Sequence, residues 1–116
     1  MVERWLINIV ISFVLRQLAR FKGDIDWAKV RADMNVRVAA LVPGTWFDNE
    51  ACYVANALLD GVLVVLGSSA ALERLLQLLA TSDWNGAFEA LKDLLSRVWI
   101  PTGASAKKAH ALLAAA

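Results

Sequence analysis

Few residues in this chain could support catalysis. Its 116 residues include one cysteine, Cys52, and one histidine, His110. A nucleophilic pair of this kind needs the thiol and the imidazole within hydrogen-bonding reach. Cys52 lies in the apolar run Ala51-Cys52-Tyr53-Val54, which predicts a buried structural thiol. His110 lies in an Ala-rich segment near no carboxylate, so we expect no catalytic residue.

Metal and cofactor sites are not predicted either. A single cysteine excludes an intrachain disulfide and a cysteine-based metal site. The six glycines are scattered and form no phosphate-binding motif. We therefore expect no metal, no cofactor and no small-molecule substrate, and a protein that is not an enzyme.

Carboxylates offer two close pairs and one isolated residue. Asp24 with Asp26 and Asp48 with Glu50 could act as acid and base, but each pair stands at a predicted helix start. Negative charge there caps free amides and offsets the helix dipole, so capping is favoured. Asp60 lies inside the most apolar segment. It either faces solvent, pairs with an arginine of the first helix, or is a buried acid used in registry or ion passage.

The composition shows an excess of apolar residues. The chain is 59% hydrophobic and 20% charged, and its mean hydropathy is +0.51. Globular domains contain about 45–50% apolar residues even with glycine included. The excess must face a partner chain, a lipid phase or an unusually dry interior.

The charge is nearly balanced, with 12 basic and 11 acidic residues and a net charge of +1. Nucleic-acid binding normally requires a basic excess, so nucleic acid is not the predicted partner. Residues 1–40 hold seven basic and four acidic side chains, whereas residues 41–72 hold three acidic and no basic ones. This contrast could orient subunits, although solvated faces explain it equally well.

Caps and stop signals predict an all-α fold, a compact bundle of about five short helices with a strongly hydrophobic N-terminal helix. The predicted helices are 3–21, 26–41, 49–66, 70–80 and 83–99. The β-branched run at 62–66 could be a strand, but we favour helix because no second strand is available to pair with it. Residues 1–103 form one helical domain, and residues 104–116 form an Ala-rich tail or short helix.

The first helix is apolar on nearly every side. Its polar residues recur every four positions, at Arg4, Asn8, Ser12, Arg16 and Arg20. Trp5, Ile9 and Phe13 project within the same arc, away from the face that the chain's own core would use. We therefore predict an interface with a partner or with lipid, formed by Trp5, Ile9, Phe13, Arg16 and Arg20.

Membrane insertion remains an alternative. The uncharged stretch between Arg4 and Arg16 spans 11 residues, short of the roughly 20 needed to cross a bilayer. The run matches no signal peptide, because no cleavage site follows it. Five tryptophans lie near predicted helix ends, where a core, a protein interface or a bilayer surface would each explain them.

These features predict a non-enzymatic assembly or interaction protein. It would self-associate, or dock into a larger complex, through apolar faces of its first and third helices. In general style the chain resembles many small proteins of phages and mobile elements, although no motif carries the resemblance. The expected location is the cytoplasm or a larger particle. The alternative is a membrane-associated protein that inserts its N-terminal helix.

Overall fold

The protein is an all-helical bundle. The computed structural model describes the backbone of residues 5–20, 24–41 and 45–115, and the side chains of these residues except 45–49 and 115. This part of the chain forms six helices and no strand. They are α1 (Trp5–Ala19), α2 (Trp27–Leu41), α3 (Thr45–Leu66), α4 (Ser69–Ala80), α5 (Trp84–Val98) and α6 (Ala104–Ala115). The β-branched run belongs to α3, so the preference for helix there is confirmed.

Three of the predicted caps start helices as expected. Side-chain oxygens of Asp26, Ser68 and Asp83 each accept a hydrogen bond from the backbone amide three residues further along, at 3.1, 3.4 and 2.8 Å. These bonds satisfy amides that no helical carbonyl can reach. The starts of α2, α4 and α5 therefore follow from local sequence.

The predicted start of α3 is wrong. The helix begins at Thr45, so Asp48 lies in its first turn rather than before it. A carboxylate in the first turn also suits the positive end of the helix dipole, so this signal does not fix a single start position. The side chains of Asp48 and of Trp46 and Phe47, which the sequence predicts to pack back onto the first turn, lie outside the described residues. So do residues 42–44 of the turn predicted at 42–45, and Gly23, a predicted helix C-cap.

α1 lies at the centre of the bundle and, like α3, contacts all five other helices. A helix that is apolar on most sides is stable only where neighbours surround it. Seven of its side chains are fully or almost fully buried. They are Leu6, Ile7, Val10, Ile11, Val14, Leu15 and Leu18.

The sequence pattern assigns an inner face of α5 to Trp84, Phe88, Leu91, Leu95 and Val98, and the structure confirms Leu91 and Leu95 but not the two ends. The structure buries Ala87, Leu91 and Leu95, whereas Trp84 and Val98 are 38% and 54% exposed. The small Ala87 side chain lets the helix approach its neighbours on this face. The larger residues assigned to the inner face are therefore displaced to its edge.

α6 is a sixth helix beyond the five predicted, and it packs mainly against α3. Of the two alternatives predicted for this Ala-rich segment, a tail or a short helix, the structure has the helix. Ala106, Ala109 and Leu113 are buried along one face. Small side chains allow a short distance between helix axes, so an alanine stripe can bury a helix that carries few large residues.

Trp99 connects the end of α5 to α3. Its indole is 8% exposed and lies on Gly61. A Cβ atom on Gly61 would stand 2.5 Å from two ring carbons of Trp99, closer than real contacts allow. Gly61 is therefore required for this close approach. Of the other tryptophans, Trp5 and Trp27 are half-buried, Trp84 is exposed, and the side chain of Trp46 is outside the described residues.

We predict that Gly61→Ala destabilises the fold by about 1–3 kcal/mol, because overpacking forces the Trp99 ring to move. Chemical denaturation measures the change. The control is a double-mutant cycle with Trp99→Leu. If the alanine costs as much without the indole as with it, the contact is not the cause.

Candidate interaction surface

The two residues best suited to catalysis, Cys52 and His110, both take part in contacts within the bundle. The main-chain carbonyl of Cys52, a half-buried residue of α3, accepts a hydrogen bond from the Asn56 side chain at 2.7 Å. Nε2 of His110 lies 3.2 Å from the carbonyl oxygen of Ser96, so it donates there, and the imidazole ring contacts Trp99. Within the described residues, no three His, Cys, Asp or Glu side chains form a group that could hold a metal ion.

A line of polar side chains joins α2 to α3. Arg31 donates from Nη1 to Oδ1 of Asn56 at 2.9 Å and from Nη2 to Asp60 at 2.5 Å. Nδ2 of Asn56 donates to Oδ1 of Asn35 at 2.6 Å. Asn56 is partly buried, and these bonds use both the oxygen and the nitrogen of its side-chain amide. This polar seam fixes the register of the two helices.

Asp60 is not a buried acid. Its side chain is 65% exposed and forms an ion pair with Arg31 of α2. The hypothesis of a buried acid is therefore wrong, and the arginine that pairs with it is on α2 rather than on α1. Asp60 is exposed because it lies on the outward side of α3, at the edge of the contact with α2.

A second ion pair joins α3 to α6. Lys108 pairs with Glu50, and its hydrogen bond holds the pKa of Glu50 below the ordinary value. Residues 41–72 hold three acidic and no basic side chains. Two of these acids, Glu50 and Asp60, form ion pairs with basic residues of other helices. The uneven charge along the sequence thus serves contacts within the chain.

The five interface residues predicted on α1 lie along its outward side. Arg16 and Arg20 are exposed, whereas Trp5, Ile9 and Phe13 are half-buried and pack against the core. The guanidinium carbon of Arg16 lies 5.1 Å from the centre of the Phe13 ring, a cation–π contact. The three apolar residues therefore already contribute to this chain's core, and the arginines offer the more accessible surface.

Three exposed apolar side chains lie close in sequence to Gly61 or Trp99. Val64, Val98 and Ile100 are 65%, 54% and 83% exposed. Val64 is one helical turn from Gly61, and Val98 and Ile100 flank Trp99, so all three surround the Trp99–Gly61 contact. We call these three residues the Trp99 patch.

The sequence prediction missed the Trp99 patch because Val98 was assigned to the inner face of α5. One signal was present. Ile100 directly precedes Pro101, in a segment with no helix face to join, so its side chain had no predicted core to enter.

A shallow cleft of about 310 Å³ adjoins the Trp99 patch. It lies between α3 and the start of α6, and its lining includes Ala57, Asp60, Trp99, Thr102 and Ser105. Apart from Trp99, the residues that line it are small or polar, and they include one carboxylate, that of Asp60. The cleft can accept a side chain of a partner more readily than a large apolar ligand.

No single helix in the described part of the chain is long and apolar enough to cross a membrane. One pair passes the length and composition test together, Glu50–Leu66 with Ser69–Ala80, but it bends by 101° at the break. α1 is apolar but shorter.

The polar seam predicts unequal effects at Asn56 and Asp60. Asp60→Ala removes an exposed ion pair and should cost about 0.5 kcal/mol. Asn56→Ala removes the side-chain partner of Asn35 and the acceptor for Nη1 of Arg31 at a partly buried site, and it should cost about 1–2 kcal/mol. Urea denaturation of both variants measures the difference, and equal costs would contradict this view of the seam.

The Glu50–Lys108 pair predicts a pH dependence for the docking of α6. Because the folded-state pKa of Glu50 is lowered, the pair stabilises the fold above the unfolded-state value of about 4.5. That contribution is lost as the pH falls through the lowered pKa. NMR titration of the Glu50 carboxyl should give a midpoint below that of the Lys108→Met variant. Identical midpoints would show that the pair does not form in solution.

Comparison with known proteins gives no relative. No family model matches the sequence, no curated protein matches it, and no solved structure matches the fold. The function of this chain must therefore be inferred from the chemistry of its own surface.

Proposed function

We propose that this protein is a non-enzymatic assembly module that docks onto a second protein chain, either another copy of itself or a component of a larger complex. The surface it uses is the Trp99 patch with the outward side of α3. The observation that carries the proposal is the exposure of three large apolar side chains around one contact, beside a cleft.

Burial of the Trp99 patch by a partner chain would be favourable in free energy. Full burial of a Val or Ile side chain contributes about 1.5–3 kcal/mol, and each residue of the Trp99 patch is more than half exposed. A partner that covers all three gains several kcal/mol before the cost of association. The Asp60–Arg31 pair at the edge supplies polar groups of the kind that surround interface cores.

The outward side of α3 extends the same surface. Tyr53, Ala57, Asp60 and Val64 recur with helical spacing, and Tyr53 is 66% exposed. Tyrosine is enriched at protein interfaces because its ring is apolar and its hydroxyl tolerates water. A partner helix lying along α3 would therefore reach both Tyr53 and the Trp99 patch.

α1 contributes less than its composition predicts. Most of its apolar surface is inside the bundle, and only its outward side with Arg16 and Arg20 is accessible. We propose this side as a secondary contact. The absence of catalysis belongs to the same proposal, because Cys52 is half-buried in α3 and the His110 ring donates to the main-chain carbonyl of Ser96.

The membrane alternative has a higher cost. Inserting α1 into a bilayer would remove seven buried side chains from the centre of the bundle. The observation that favours it is the combination of half-buried Trp5 and Phe13 with two exposed arginines, which suits an anionic lipid surface. Co-sedimentation with anionic vesicles tests this alternative. Binding that leaves the circular dichroism spectrum unchanged would favour attachment at the lipid surface over insertion of α1.

We predict that Val64→Lys combined with Ile100→Lys abolishes assembly and leaves the fold intact. Both side chains are mostly exposed, so charge there costs the monomer little, whereas an interface would have to bury two ammonium groups. Particle mass by light scattering across protein concentrations, beside a thermal melt, measures both effects.

The matched control is Val36→Lys on the outward side of α2, where valine is 71% exposed and far from the Trp99 patch in sequence. It should assemble like the unmodified protein. A second variant, Arg16→Glu with Arg20→Glu, tests the secondary contact. If that variant alone loses assembly, the surface lies on α1 and the Trp99 patch is not the docking site.

A further inference from the structure

Asn85 and Gly86, in the first turn of α5, form the dipeptide in which asparagine loses its side-chain amide most readily. In this reaction the backbone nitrogen that follows the asparagine attacks the side-chain carbonyl carbon. Glycine favours the attack, because no Cβ shields its nitrogen and its backbone rotates freely. The chain has five asparagines, and only Asn85 precedes a glycine. Its side chain is exposed, so water has access to it.

The N-cap of α5 explains why glycine stands at position 86. Oδ1 of Asp83 accepts a hydrogen bond from the backbone amide of Gly86 at 2.8 Å. A Cβ atom on residue 86 would stand closer to both carboxylate oxygens of Asp83 than real contacts allow. The cap therefore requires glycine at this position. Because asparagine precedes that glycine, the same requirement creates the labile dipeptide.

The hydrogen bond of the cap also opposes the reaction. The attacking atom is the Gly86 nitrogen, which must lose its proton, and that proton is donated to Asp83. Its removal would leave a negatively charged nitrogen beside a carboxylate, and the two charges would repel each other. Asn85 is also helical, and ring closure requires it to rotate out of the helical ψ. Attack therefore requires the first turn of α5 to open.

The first turn of α5 can open without the rest of the bundle. Trp84 is 38% exposed and Asn85 is exposed, and the first buried side chain of the helix is that of Ala87. Segments with few buried contacts open locally at a lower free-energy cost than the whole fold. Apart from helical hydrogen bonding, the Asp83 cap is the interaction that holds this turn closed.

We propose that Asn85 is a site of spontaneous deamidation and that the Asp83 cap controls its rate. When the turn opens, the Gly86 nitrogen forms a bond to Cγ of Asn85. The bond from Cγ to Nδ2 breaks, and the departing amide group takes the Gly86 proton and leaves as ammonia. One water molecule then opens the cyclic imide. Cleavage at Cγ gives aspartate, and cleavage at the main-chain carbonyl gives isoaspartate.

Both products change the start of α5. Each places a new carboxylate two residues after Asp83, where like charges repel. Isoaspartate also adds a methylene group to the backbone, and the 13-atom hydrogen-bonded ring of an α-helix cannot form across it. The modified chain therefore cannot keep the first turn of α5 as it is in this structure.

Asp83→Ala tests the control by the cap. The purified variant is incubated in neutral buffer, and peptide mass mapping follows the replacement of the Asn85 amide by an acid. The rate should rise about fivefold, because loss of an N-cap shifts the opening equilibrium by about that factor. The matched control is Asp83→Ser, which retains a good capping side chain and should keep the original rate. Circular dichroism checks that both variants remain helical.

Two further measurements use the unmodified protein. Asn56 lies within α3 and its side chain is bonded to Asn35, so it should stay intact under the same conditions. Low concentrations of urea separate local opening from global unfolding. Local opening exposes little surface, so the deamidation rate should stay nearly constant below the unfolding transition.

Three results would overturn the proposal. If Asp83→Ala deamidates at the original rate, or Asp83→Ser as fast as Asp83→Ala, the hydrogen bond of the cap does not control the reaction. If the rate climbs steeply in low urea, only the globally unfolded chain reacts. If Asn85 stays intact even in the fully denatured chain, it is not a deamidation site.

Discussion

The contact of α1 with every other helix is the constraint on which the bundle depends. Its seven buried side chains fill the centre, and the other five helices each cover part of them. A chain of this size buries only a modest core, and the seven buried side chains of this one helix account for part of the apolar excess. The outer helices can then be ordinary amphipathic helices or, as with α6, mostly alanine.

The arrangement around α1 explains why polar contacts sit between the outer helices. The contacts that the outer helices make with α1 are mainly apolar. Such contacts determine which face of a helix is buried, but they do not fix how far one helix is shifted along another. The seam formed by Arg31, Asn35, Asn56 and Asp60 supplies register for α2 on α3. Lys108 with Glu50 does the same for α6. Trp99 packs closely on Gly61 between the end of α5 and α3, and two exposed valines and an isoleucine lie near that contact in the sequence.

Local features were predictable from the sequence, and pairings across the fold were not. Asp26 and Asp83 reveal helix starts because a cap acts within three residues. The Lys108–Glu50 pair joins residues 58 positions apart, and no periodicity encodes it. The exposure of Ile100 follows from the direction of the chain after Trp99, which depends on Gly61 in another helix. The three apolar residues of α1 predicted as an interface are half-buried for a similar reason, since the outer helices reach further around α1 than its own pattern shows.

The central position of α1 has a consequence for synthesis in the cell. α1 leaves the ribosome before all five of the helices that cover it. At about 5–20 residues per second, its apolar side chains wait several seconds or longer for α6 to emerge. Its own covering is therefore incomplete throughout translation. During that interval α1 presents the kind of apolar segment that nascent-chain chaperones bind. The side chains that stabilise the folded bundle are exposed while the chain is being synthesised.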